Sequence, residues 1–176
     1  TINSSGAGGN SFSTIAVSGQ SNVIADSSSD TLTLIAGSNV TITTNAANDE
    51  ITVTSNDTTG FGCRINGTGG SGEIEVGQTV EIPIPHAMTI TGWTIIGDNT
   101  GDIVVDVNKT SYANYPASFA SIAGTEKPTL STAQKGEDNS LSSWTTSVSA
   151  GDVIQFEVDS VSGLDNVTII VQGVKT

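Results

Sequence analysis

Side chains able to carry chemistry are unevenly stocked in this chain of 176 residues: eighteen are acidic and five basic, with one histidine, His86, and one cysteine, Cys63. A lone histidine and a lone cysteine exclude a multi-histidine metal site, a cysteine cluster and an intrachain disulfide. His86 follows Pro85 at the end of an alternating apolar run and reads as a turn or interface residue. Cys63 alternates with Phe61 and Ile65 and reads as a small core or interface residue. Gly67, Gly69 and Gly72 spell the dinucleotide fingerprint GxGxxG, but Glu73 to Val76 after them reads as a strand. No helix N-terminus then receives a pyrophosphate, so the glycines read as a hairpin loop. Neither a P-loop Gly-Lys pair nor a GxSxG elbow is present, and no cofactor is expected.

Carboxylates are the harder case. Glycoside hydrolysis needs two of them facing each other, and eighteen acids satisfy that by number alone. Yet Glu73 with Glu75, Glu81, and Glu157 with Asp159 occupy alternate strand positions whose other face is apolar, the pattern of a solvated face. Asp98, Asn99, Asp102 and Asp106 offer oxygen ligands to calcium, with Asp98 and Asp102 the foremost candidates. Asp98-Asn99-Thr100-Gly101 is equally an ordinary turn, and the EF-hand pattern is absent. No metal and no catalytic residue is therefore assigned. Trp93 and Trp144 lie inside apolar runs and read as core. Tyr112 and Tyr115 differ: they flank Asn114 in a stretch without alternation, beside Pro116. An exposed ring next to amides and hydroxyls suits sugar recognition, which makes Tyr112, Asn114 and Tyr115 candidate contacts. The competing reading is a loop pinned to the domain by its tyrosines.

The elements that must position these residues are strands. Net charge is −13, which opposes a nucleic-acid or anionic-membrane partner, and no apolar run approaches the 18 residues of a membrane span. The opening Thr1-Ile2-Asn3, without an initiator Met or an apolar signal core, leads to the expectation of a piece cut or processed from a longer chain. Residues 1–60 hold no Lys, Arg or His and only thirteen large apolar side chains, too few for a core. Alternation is clean at Ile15 and Val17, Leu32 and Leu34, Val40 and Ile42, and Ile51 and Val53, predicting short strands. Gly19 to Ala36 also lays over Gly37 to Thr54, each unit reading Gly, Asn-Val, polar turn, Asp, strand. Units this small cannot bury their own apolar face, so intertwining with copies of the same chain is expected.

Residues 61–176 hold every basic residue, both Trp and both Tyr. Alternation predicts strands at Val80 to Ile84, Ile103 to Val107 and Ile154 to Val158, with further candidates at Phe61 to Ile65, Glu73 to Val76, Met88 to Ile96 and Val167 to Val174. Asn66-Gly67, Asp98-Asn99, Gly101 and Gly151-Asp152 are turn signals. Seven or eight strands at this spacing predict an all-β, two-sheet antiparallel domain. From Lys109 to Trp144 the alternation stops, and this long connection is expected to carry function or to conceal a short helix or an extra strand.

The units GQSNVIADSSSDTLTLIAGSNVTITT and NDEITVTS resemble repeats near the ends of tail fibres and other appendages of tailed bacteriophages, where Gly-x-Asn-(Val/Ile)-Thr-(Ile/Leu) alternates with Asp-x-(Ile/Leu)-Thr-(Ile/Val). The later segments ITGWTIIGDNTGDIVVDVNK, EKPTLS, LSSWTT and AGDVIQFEVDSV resemble a C-terminal jelly-roll-like domain of phage structural proteins. Stem repeats of this composition also occur in bacterial trimeric adhesins. The resemblance implies a homotrimer, with residues 1 to about 60 as an interwoven β stem and 61–176 as a jelly-roll-like β-sandwich head. It further implies extracellular display on a virion and non-catalytic binding of a host-surface polysaccharide or other receptor, without membrane insertion. A ligand-free structural appendage of tail or capsid and a polysaccharide depolymerase are the alternatives.

Overall fold

The computed structural model describes residues 14–27, 29–55, 57–68 and 72–176, so Thr1-Ile2-Asn3, Phe12 and the Gly69 of the glycine fingerprint lie outside the described residues. The described residues are all-β and contain no helix. They divide into two compact units between Ser55 and Asn56, a few residues before the expected boundary near 60, and the first strand of the second unit begins at Thr58.

The first unit holds two separate hairpins. β1 (Thr14–Ile15) pairs with β2 (Val23–Ile24), and β3 (Val40–Asn45) pairs with β4 (Glu50–Ser55) in the register Ile42 to Val53 and Thr44 to Ile51. Asn39 and Asp49 adopt left-handed backbone at the two ends of the second hairpin, where short polar side chains tolerate it. Asp30 accepts hydrogen bonds from the Ser27 hydroxyl at 2.7 Å and from the Asp26 amide at 2.7 Å. The Ser27 hydroxyl foremost, with the Asp26 and Ser27 amides, holds the Asp30 carboxyl below the usual range. The two repeats therefore differ: Glu50–Ser55 finds a partner strand, but the equivalent 31–36, expected as a strand from Leu32 and Leu34, has none among the described residues. Ala25 is the only buried hydrophobic among the described residues of this unit. Val17, Val23, Ile24, Leu34, Ile35, Ile51 and Val53 are all exposed, Ile35 by 85%.

The second unit is one curled antiparallel sheet built around a single long strand. It comprises β5 (Thr58–Asn66), β6 (Thr79–Pro83), β7 (Met88–Ser111), β8 (Ala120–Ser121), β9 (Thr129–Asp138), β10 (Ser147–Val148), β11 (Asp152–Ser162) and β12 (Asn166–Lys175). The first half of β7 pairs with β12, which pairs with β5; its second half pairs with β11, which pairs with β6. β10, β9 and β8 pair along the opposite edge of β7, at Met88 and Thr89, between Trp93 and Val104, and at Asn108 and Lys109. Predicted strands at Met88 to Ile96 and Ile103 to Val107 are thus one strand, and the expected turn at Asp98 to Gly101 is a bend within it. Four residues of β7, 97 to 100, stand opposite the single Gln134 of β9, whose amide donates to the Asp98 carbonyl at 2.9 Å. Such a bulge bends a strand and raises its twist, letting β7 belong to both halves of the curl.

Leu164, fully buried in the turn between β11 and β12, fills the inside of this corner. A Cβ on Gly101 would lie 2.7 Å from Leu164 Cγ and 2.7 Å from the Ser162 carbonyl oxygen, so the corner requires glycine there. The inward residues Ile95, Ile103, Val105, Val107, Ile154, Phe156, Ile169 and Val171 form the core together with Trp93 and Trp144. Glu73 to Val76 is not a strand: left-handed Gly72 and Gly77 bracket it, and Ile74 donates to the Leu164 carbonyl at 3.0 Å. The long connection after Lys109 conceals β8 and β9 and no helix.

Candidate functional site

The face of β7, β11 and β6 that points away from the core carries three rows of side chains fixed by register. Pro83, Val153 and Thr110 form one; Glu81, Gln155, Asn108 and Ser121 the next; Thr79, Glu157 and Asp106 the third. A sheet face of this kind is usually solvated, yet Asp106, Asn108 and Thr110 are buried here. The segment from Tyr112 to Ser121 covers them. Thr110 Oγ1 donates to the Ala117 carbonyl at 2.9 Å, and Ser121 Oγ donates to Asp106 Oδ1 at 2.6 Å. Tyr112 and Asn114 anchor the loop's start through bonds from their amides to the Gly151 and Ser111 carbonyls, both at 3.0 Å.

At the Asp106 end of this face Lys127 places its ammonium 2.7 Å from both Asp106 and Asp159. Hydrogen bonding to Asp106, then to Asp159, raises the lysine above its ordinary range. A raised lysine contributes stability in full below the unfolded-state value near 10.4 and loses it as the pH climbs through the higher folded value. Lys127→Met is expected to lower stability by about 1 kcal/mol at neutral pH, a value held down by partial exposure of the pair. Melting curves recorded from pH 7 to 12 should show the gap between variant and unaltered protein closing only on the alkaline side.

Beside this network the tyrosine loop leaves a cleft of about 180 Å³ lined by Glu81, Pro83, Tyr112, Tyr115 and Val153. Val153 forms its floor and is buried, although it lies outside the core cluster. Tyr112 is 75% exposed and Tyr115 47% exposed, the latter with its ring edge-on to Phe119 at 6.2 Å between centroids. Glu81 accepts from Gln155 Nε2 at 3.0 Å, and Gln155 Oε1 in turn accepts from Asn108 Nδ2 at 3.4 Å. The structure brings Tyr112 and Tyr115 to one cleft. Asn114 is exposed in the loop between them and does not line it. Glu81 and Val153 were missed by reasoning from the sequence. Their signal was the doublet Val153-Ile154, which breaks the alternation because both faces of β11 are covered at that point.

The remaining candidates sit apart. Asp98 Oδ2 accepts from Asn166 Nδ2 at 3.2 Å, while its Oδ1 is buried without a hydrogen-bond partner. Asp102 Oδ1 accepts from the Thr132 amide at 2.9 Å. Among the described residues no group of three or more His, Cys, Asp or Glu side chains is placed to hold a metal ion. His86 Nε2 lies 3.0 Å from Thr59 Oγ1, which ties the turn before β7 to β5. Burial pushes the Cys63 thiol up to about 12, far from the range of a thiolate nucleophile. Trp144 donates from Nε1 to the Glu126 carbonyl at 2.9 Å, and the Glu126 carboxylate is held below its usual range by the Ser142 hydroxyl and the Ser143 amide. No protein-family model, curated protein or solved structure matches this chain.

Proposed function

We propose that the chain is part of a homotrimeric surface appendage of a tailed bacteriophage, in which an interwoven β stem carries three jelly-roll-like sandwich heads that bind the host surface without catalysis. One observation carries the stem: among the described residues of the first unit seven large apolar side chains are exposed and Ala25 is the only buried hydrophobic. A two-stranded hairpin is marginal in water by itself, and the 31–36 segment, without a partner strand among the described residues, is an open edge. Copies of the same repeat supply both missing partners. For the head, the curled sheet closing on one core supports a sandwich, and the exposed tyrosines on a long loop over a rigid face are a recognition device of ordinary kind. Display on an extracellular virion surface, with a host glycan as receptor, follows from this reading.

Absence of catalysis is supported by the state of the carboxylates that face each other across the sheet. Glu157 and Asp106 are in direct register, but Asn108 Nδ2 donates to Glu157 at 3.2 Å while Ser121 and Lys127 occupy Asp106. A depolymerase would need such a pair open to substrate. A ligand-free structural appendage is favoured by a different fact, the burial of Val153 beneath the tyrosines, since packing alone can explain their place. The two readings separate on Tyr112→Ala with Tyr115→Ala. For a binding loop, host-cell and glycan-array binding should fall by about 1 to 3 kcal/mol per ring while the melting temperature moves little. Unchanged binding with a sharp fall in melting temperature would make the rings packing residues and leave the structural appendage standing.

A further inference from the structure

The cleft's lining says which part of a surface polymer it suits. A pyranose held by its hydroxyls needs several polar partners, whereas two tyrosine rings, a proline and a valine offer an apolar wall with one charged group, Glu81. At about 180 Å³ the cleft is smaller than ordinary small-molecule pockets, which run from about 300 to 1,000 Å³, so it holds a head group and not an oligosaccharide. Aromatic faces beside a carboxylate attract cations: the ring quadrupole and the negative charge act together, and apolar neighbours accept the methyl or methylene groups around a nitrogen. Glu81 is oriented for this by Gln155, itself held by Asn108. The surroundings reinforce the sign. From Asn56 to Thr176 there are fourteen acidic and five basic residues, a net charge of −9, and no cation lines the cleft.

We propose that this cleft binds an ammonium group carried by a host-surface polymer, either a protonated amino sugar or a quaternary alkylammonium substituent, and disfavours acidic glycans. The proposal rests on the tyrosine loop being the host-binding element and adds the chemistry of what it recognises. Tyr112 and Tyr115 supply the faces, Glu81 the charge, Val153 and Pro83 the floor, and Gln155 is a positioning residue.

The test is a titration of the full chain with choline chloride, glucosamine, glucose and glucuronate at matched ionic strength, followed by NMR shifts at Tyr112, Tyr115 and Val153. Choline or glucosamine should bind about tenfold more tightly than glucose, with glucuronate weakest. Which of the two cations binds better separates the quaternary from the amino-sugar source. Because the Glu81 side chain is exposed, Glu81→Gln should fold normally, weaken the cations about threefold and leave glucose unchanged. Equal affinity for glucose and both cations, or cation binding indifferent to Glu81→Gln, overturns the ammonium proposal. Host-cell binding that still depends on the tyrosines would then leave the binding role intact. Cell binding indifferent to both tyrosines would instead remove the role itself, whatever the titration gave.

Discussion

Leu164→Ala is expected to cost the second unit about 2 to 5 kcal/mol, the range for removing a fully buried leucine whose cavity cannot collapse. Collapse is hindered because the residue is wedged at the corner of β7. Gly97 and Gly101 line one side with no side chain to move in, and the backbone of the β11–β12 turn closes the other. That turn also holds neighbouring segments, since the Leu164 carbonyl accepts from Ile74 at 3.0 Å and the Asp165 carbonyl from Gly67 at 2.7 Å. Gly101→Val approaches the same corner from β7 and should be at least as damaging, because its Cβ would press on the Ser162 carbonyl oxygen, which is backbone. Denaturant unfolding of both variants checks this, with Val76→Thr as an exposed control held within about 0.5 kcal/mol. A loss under about 1 kcal/mol for Leu164→Ala would mean that the corner is soft and the curl is held elsewhere.

The second large effect concerns assembly. Leu34→Asp combined with Ile42→Asp should convert the proposed trimer into separate chains while leaving the second unit folded. Leu34 is 47% exposed and Ile42 half-buried within a single chain, so two carboxylates there cost that chain little. In an interwoven stem the same positions face the other copies, and burying six carboxylates with no basic residue before Arg64 to pair them is prohibitive. Sedimentation velocity of the variant, with near-ultraviolet circular dichroism on the two buried tryptophans to verify the second unit, separates dissociation from unfolding.

How much of this was legible follows from which contacts are local. Alternation at Val80 to Ile84, Ile154 to Val158 and Val167 to Val174 marks strands with one face on the core, and the structure has them there. Asp98-Asn99-Thr100-Gly101 misled because a bulge and a turn use the same residue types. What distinguishes them is the strand on either side, and β9, β11 and β12 lie 30 to 70 residues away. β9 escaped notice since only Leu130 of its residues is buried and only the small Ala133 joins it against the core, which leaves no period to read. Glu73 to Val76 did alternate, but Gly72 and Gly77 in left-handed backbone bend it into a loop.

The tyrosines stood out as exposed rings beside amides. Their setting did not, because Glu81 and Val153 reach them through strand register, and a single sequence carries no trace of that register except the Val153-Ile154 doublet. Asn114 was carried along by its neighbours, whereas its side chain leaves the cleft lining. Residues 31–36 show the opposite situation. Their alternation is as regular as that of β4, and among the described residues of one chain no strand pairs with it.

The claim that copies of the chain complete the first unit is tested most directly by multi-angle light scattering of the unaltered protein at micromolar concentration. A homotrimer gives a mass three times that of the 17.8 kDa chain, and this is the expected result. A mass equal to one chain, from protein that still melts cooperatively, would contradict it.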